Sequence, residues 1–332
     1  MTRLWARRFL VFAAIAGAVG LAGCGGGSRS VVSPPPSSTP NEQTIVVDTG
    51  PTDQAPVNSY PYVNGAFTSV TVCVPGTTQC TTVNGVLVDT GSEGLRILAS
   101  ALGSLPLPTE TQSGNPLAEC APFVSAVTWG PVVGADVEIA GEKASSVPIQ
   151  VIGGSGIGSA VPAPSCTDVG TPEQTLYDLG ANGILGVGPF AQDCGVGCTS
   201  AYPISSGQNL EFYYSCPSSG CVPATAGLTQ QVENPVAAFS TDNNGVEIQL
   251  PSVPPATAET SVTGSLFFGI GTQSNNQLNG ATVYTIDPTT GNISTEYNNT
   301  LYSDVSYIDS GCGSEQYENS WTVGVSGRLA RR

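Results

Sequence analysis

From Tyr60 onward, apolar and polar residues alternate in short runs bounded by Gly, Pro and Asn. Ser69-Val70-Thr71-Val72, Asp136-Val137-Glu138-Ile139, Val147-Pro148-Ile149-Gln150-Val151-Ile152 and Thr282-Val283-Tyr284-Thr285-Ile286 all carry this period of two. Segments of this length and period predict strands. Val86-Leu87-Val88 is an apolar run that reads as a strand, and Ile184-Leu185 is a second short apolar run between glycines. Thr171 to Leu179 is the one stretch that reads as a short helix. The chain is predicted to be mainly β.

The ends break this rhythm. Arg3, Arg7 and Arg8 precede an apolar stretch from Phe9 to Leu21, too short to cross a bilayer comfortably and suited to a signal peptide. It closes on Leu21-Ala22-Gly23-Cys24, which resembles a bacterial lipoprotein cleavage box. That resemblance implies a signal peptide over residues 1–23 and lipidation of Cys24. The implied partner is a membrane, held through an N-terminal lipid anchor, and Gly25 resembles the outer-membrane sorting choice. Residues 24–60 are rich in Gly, Ser, Pro and Thr and read as a flexible tether.

Charge narrows the function. The 332 residues contain 9 basic and 25 acidic side chains, a formal net charge of −16. Between the termini the only basic residues are Arg96 and Lys143. Nucleic-acid binding rests on Lys and Arg neutralising phosphates, so it is excluded. There are no histidines. Ser-His-Asp and Cys-His catalysis are therefore excluded, as is every His-ligated metal site. Carboxylates become the leading candidates for any chemistry, and the pattern calls for no cofactor or metal.

Export would permit disulfides. Cys73 and Cys80 flank a turn between two strands, and Cys194 with Cys198 and Cys216 with Cys221 are near neighbours. Cys120 and Cys166 then remain as a candidate pair, although sequence alone does not fix connectivity. Zinc competes for the short spacings, but an oxidising compartment and the absence of His favour disulfides. Cys312 is left over.

Two triplets follow apolar strands: Asp89-Thr90-Gly91, continued by Ser92, and Asp309-Ser310-Gly311. Such loops let backbone N–H groups reach a carboxylate without a Cβ in the way. A third triplet, Asp48-Thr49-Gly50, lies within the presumed tether. The triplet alone is therefore weak evidence, since strand-end turns commonly use these residues.

Ile184-Leu185-Gly186, flanked by Gly183 and Gly188, changes the weighing. With Asp89-Thr90-Gly91-Ser92 it resembles the pepsin-like aspartic peptidases, in which an Asp-Thr-Gly loop is crossed by a later apolar-apolar-Gly segment in a ψ-shaped tangle. More narrowly, the chain is similar to a family of uncharacterised exported bacterial lipoproteins with these motifs. The resemblance implies a bilobal β-barrel acid-protease fold, with an N-terminal lobe over residues 61–240 and a second over 241–311. It implies Asp89 and Asp309 as the catalytic pair, and Ser92 as orienting the first carboxylate. Thr90 and Ser310 would brace the two loops, with Gly91 and Gly311 completing them. The stretch from Trp129-Gly130 to Ile139 resembles the flap hairpin and following strand, with Phe123 or Trp129 as flap aromatic or core. Val236 to Ser240 and Gly264 to Gly271 resemble the inter-lobe crossing. The implied substrate is a peptide or unfolded protein.

The resemblance stops short at the C-terminus. Position 312 is Cys where the family places Ser or Thr, and residues 312–332 lose the strand rhythm and end in a basic tail. The second lobe is expected to be incomplete, as after a truncation or frameshift, with catalysis impaired. The competing expectation is a surface-anchored lipoprotein that keeps the fold as a binding or structural module.

Overall fold

The computed structural model describes residues 40–51, 62, 64–123, 126–157, 162–200, 212–253 and 260–311. Its first strands are β1 (Glu42–Asp48), β2 (Gly65–Cys73), β3 (Cys80–Asp89) and β4 (Glu93–Leu98). The short β5 (Thr111–Gln112) leads into β6 (Asn115–Pro122), β7 (Ala126–Ile139) and β8 (Glu142–Ile152). After β9 (Thr171–Pro172) comes β10 (Gly183–Val187), then β11 (Tyr213–Ser215) and β12 (Val222–Pro223). The last strands are β13 (Val246–Gln249), β14 (Val262–Phe268), β15 (Ile293–Tyr297) and β16 (Thr300–Ser306).

Strands β2, β3, β10, β4, β8 and β7 pair in that order, and β7 pairs back with β2 to close a six-stranded barrel. Closure removes the exposed edges that an open sheet would present. Most neighbours are antiparallel, but β10 runs parallel to β3 and β4 runs parallel to β8. β10 thus enters between β3 and β4, parallel to the first and antiparallel to the second. Its apolar residues alternate between two interiors. Leu185 and Val187 join Val86, Val88, Leu95 and Ile97 in the main core, while Ile184 packs with Leu87 and Leu98 in a smaller cluster. Burial on both faces explains why these segments are apolar runs rather than alternations.

β1 differs from expectation. Glu42–Asp48, within the presumed tether, is a seven-residue strand hydrogen-bonded to β2 and β14. Ile45 is fully buried in the main core. Local composition concealed this, because the β-branched run Thr44-Ile45-Val46-Val47 lies between Gly/Ser/Pro-rich stretches and its partner β14 is far away in sequence.

The sheet also continues past residue 240. β13 and β14 continue the sheet through β1, and Val246, Ile248, Leu266 and Phe268 belong to the main core. Beyond Ile270, the described strands are β15 and β16, which form a separate two-stranded sheet. The predicted helix at 171–179 resolves into β9 and a one-turn helix, Leu176–Leu179, capped by the Thr175 side chain. Two further one-turn helices form at Ala99–Leu102 and Pro164–Thr167.

Disulfides join Cys73–Cys80, Cys120–Cys166, Cys194–Cys198 and Cys216–Cys221. They point to an extracellular or periplasmic protein. Among the described residues no helix is long and apolar enough to cross a membrane. The signal segment, Cys24, Cys312 and the basic tail lie outside the described residues.

Candidate active site

Asp89 ends β3, where the strand gives way to a turn that returns as β4. The Gly91 N–H donates to Asp89 Oδ1 at 2.8 Å, and the Ser92 hydroxyl donates to Oδ2. The third triplet makes the same local turn, with Gly50 N–H donating to Asp48 Oδ1 at 2.8 Å. The turn itself is therefore ordinary strand-end chemistry. What surrounds Asp89 is not.

Directly beside it, Gly186 of β10 is in register with Asp89. On its other side β10 lies so close to β4 that a Cβ on Gly186 would sit 2.7 Å from the Glu93 carbonyl carbon. The apolar-apolar-Gly pattern is thus a packing requirement. Ile184 and Leu185 fill the interiors, and only glycine lets β10 pass the loop after Asp89.

Asp309 arrives from the far end of the chain. Gly311 N–H donates to its Oδ1 at 2.7 Å, matching the Asp89 turn. The two loops interlock through four hydrogen bonds. Thr90 N–H donates to Ser310 Oγ at 3.1 Å, and Ser310 N–H donates to Thr90 Oγ1 at 3.0 Å. The Thr90 hydroxyl donates to the Ile308 carbonyl at 2.9 Å, and the Ser310 hydroxyl to the Val88 carbonyl at 2.7 Å. Each loop's glycine then faces the other loop's carboxyl group. A Cβ on Gly91 would lie 2.6 Å from Asp309 Cγ, and one on Gly311 would lie 2.6 Å from Asp89 Cγ.

Electrostatics follow from this approach. Burial pushes the Asp89 carboxyl up, the neighbouring Asp309 charge pushes it further, and hydrogen bonds from Ser92 and Gly91 pull it back, leaving it at about 7. Two adjacent carboxylates cannot both ionise cheaply, so Asp89 keeps its proton well above the usual carboxylate range.

The hairpin expected from Trp129 to Ile139 begins earlier. β6 and β7 are its arms, and β7 runs unbroken through Trp129 and Ile139. Trp129 is a core residue, buried edge-to-face against Tyr214 with ring centroids 5.1 Å apart. Phe123 sits at the turn of the hairpin, with its ring 5.8 Å from the Arg96 guanidinium carbon. The expected inter-lobe crossing at Val236 to Ser240 is a short 3-10 turn, Pro235–Ala238, and Gly264 to Phe268 lie in β14.

Sequence reasoning missed a buried polar cluster behind the loop. Arg96 on β4 donates to the Glu93 carbonyl at 2.7 Å, to Glu119 Oε1 at 2.5 Å and to Asp193 Oδ2 at 3.1 Å. The Tyr213 hydroxyl donates to Asp193 Oδ1 at 2.6 Å. The available signal was one arginine inside Leu95-Arg96-Ile97-Leu98, in a body that otherwise avoids arginine. Its partners, spread from 119 to 213, could not be read locally. Glu93 is half-buried, and burial raises its carboxyl to about 7 although the Phe190 N–H and Arg96 oppose this. Among the described residues no three His, Cys, Asp or Glu side chains converge as a metal site would require.

No curated protein is significantly similar to the chain. The family described as "Protein of unknown function (DUF3443)" matches residues 37–328, a span that includes the barrel, both aspartates and the Arg96 cluster. The chain belongs to that family.

Proposed function

We propose that the protein is an exported, lipid-anchored aspartic peptidase-like protein whose chemistry resides in Asp89 and Asp309. The observation that carries the reading is the reciprocal lock between Thr90 and Ser310, which seats each carboxyl group against the other loop's glycine. In this mechanism a water held between the carboxyls gives a proton to the ionised one, and its oxygen attacks the scissile carbonyl carbon. The protonated carboxyl donates to the carbonyl oxygen as the tetrahedral species forms. Collapse breaks the C–N bond as the amide nitrogen takes up a proton, and the pair returns to its singly protonated form. Ser92 and the Gly91 N–H keep the Asp89 carboxyl in orientation, and Phe123 at the hairpin turn would cover the substrate. The substrate class is an extended peptide or unfolded protein.

Anchoring rests on the sequence around Cys24 and on the disulfides of the folded part. Metabolic labelling with a fatty acid should mark the protein, and Cys24→Ser should abolish the label. A non-hydrolysable mimic of the tetrahedral species tests the site itself: it should bind at acid pH, and Asp89→Asn should remove the binding.

A non-catalytic binding or structural module is the second reading, and one observation favours it. β10 backs Asp89, but among the described residues no equivalent strand crosses behind Asp309, whose preceding hairpin, β15 and β16, pairs with no other sheet. Binding of an unfolded chain without cleavage at any pH would select this reading.

A further inference from the structure

We infer that Arg96 is a positioning residue: it clamps the loop after Asp89 to the β6–β7 hairpin and to the segment following β10, so that the pair of carboxyls and the hairpin above them keep one geometry. The inference rests on the peptidase-like reading for its kinetic consequence, but its structural content stands apart from it.

Arg96 is 3% exposed and lies on β4, one turn of chain beyond the site. One guanidinium nitrogen takes the Glu93 carbonyl, the exit of the Asp89 loop. The other takes Glu119 of β6 and Asp193 beyond β10. Asp193 is held in turn by Tyr213, whose hydroxyl accepts the Val232 N–H at 2.8 Å. Val232 closes the circuit, because a Cβ on Gly94 would sit 2.5 Å from its Cγ1. Phe123 at the hairpin turn completes the contacts of the guanidinium. Arg96 thus bonds directly to the exit of the Asp89 loop, to β6 and to the segment after β10, and reaches Val232 through Asp193 and Tyr213.

Stability does not explain this arrangement. Replacing a buried ion pair with apolar groups of similar volume is often neutral or stabilising. Here Arg96 Nε and Glu119 Oε2 are buried without hydrogen-bond partners, so the cluster is not optimised for binding energy. The titratable groups around the guanidinium are Glu93, Glu119, Asp193 and Tyr213, more acid than one cation balances. Burial holds the Glu119 carboxyl well above the usual range despite the adjacent Arg96. What the planar fork supplies is direction: a carbonyl and two carboxylates are fixed at once, which a lysine cannot reproduce.

The test uses the full chain with Arg96→Met and Arg96→Lys. The pH midpoint of Asp89 is read from its carboxyl carbon by NMR, assigned with Asp89→Asn, beside kcat and KM on a denatured protein. Loosening the loop weakens the Ser92 and Gly91 hydrogen bonds that lower Asp89, so its midpoint should rise by about half a pH unit or more. The methionine variant should lose on the order of 10²-fold in kcat, with KM changed less than about twofold. The lysine variant should fold and lie between it and the unaltered protein on both measures. Should the methionine variant fail to fold, the lysine variant decides. Either variant, correctly folded but with an unchanged midpoint and kcat, overturns the inference. Should the unaltered protein cleave nothing at any pH, the peptidase reading falls by itself, and the Asp89 midpoint still decides the role of Arg96.

Discussion

Thr90 and Ser310 each accept the other's backbone N–H through a side-chain hydroxyl, at 3.1 and 3.0 Å, across a separation of 220 residues. Each hydroxyl also donates onward, to Ile308 and to Val88. The site's geometry therefore depends on two small side chains, each of which donates one hydrogen bond and accepts another across the loops. Thr90→Val keeps the shape but leaves the Ser310 N–H and the Ile308 carbonyl without this partner. It should cost about 1–3 kcal/mol in chemical denaturation and lower kcat far more than it alters KM.

Proton linkage gives a test that needs no substrate. Asp89 rises from its ordinary 3.8 to about 7 in the folded protein, so folding favours its protonated form. The stability it contributes is fully present below about pH 4 and is lost as pH rises towards 7, at up to roughly 1.4 kcal/mol per pH unit. Glu93, raised to about 7, acts in the same direction. Asp136, which burial would raise but which Lys143 and the Gly76 and Ser146 N–H groups hold below its usual range, acts in the opposite direction, but only at stronger acid. The melting temperature should be higher at pH 5 than at pH 8, and the dependence should flatten in Asp89→Asn. A slope equal in both proteins would mean that Asp89 titrates normally.

Steric closure is equally direct. Gly91→Ala and Gly311→Ala each place a methyl group 2.6 Å from the opposing carboxyl carbon. Neither backbone lies in the left-handed region, so the effect should come from the clash alone. Activity should fall on the order of 10²-fold as the carboxyls separate, with the Asp89 midpoint dropping as its neighbour recedes. A crystal structure of either variant with the two loops in place would disprove the account of these glycines.

The disulfides should differ in weight. Cys120–Cys166 closes a span of 46 residues inside the Trp129–Tyr214 cluster, whereas Cys194–Cys198 closes a span of 4. Loop-closure entropy assigns about 4 kcal/mol to the first and about 2 to the second. Paired Cys→Ala variants, compared by denaturant unfolding, should show that order.

What could be read from the sequence was whatever is local or carried by a strong pattern. Val86-Leu87-Val88 before Asp89 and the glycines around Ile184-Leu185 marked two strands, because burial on both faces leaves no polar position in the run. The local cysteine spacings indicated pairs in the same way. Distant partners are what a local reading does not reach. β1 has tether-like neighbours in sequence and is a strand because β14 supplies its pairing, and the apolar faces of β13 and β14 enter the main core. Trp129 could not be placed without Tyr214. The nearness of Asp309 to Asp89 rested wholly on resemblance, since no periodicity connects positions so far apart.

Hydrolysis of a denatured protein between pH 3 and pH 8 decides whether Asp89 and Asp309 share one working proton. The unaltered chain, Asp89→Asn and Asp309→Asn would be compared after circular dichroism and disulfide mapping show all three to be equally folded. Cleavage by the unaltered chain should be weak, because among the described residues no strand backs Asp309, should decline on the alkaline side as the shared proton is lost, and should be absent from either variant. Cleavage that survives Asp309→Asn, or an unaltered chain inert at every pH, would contradict that sharing.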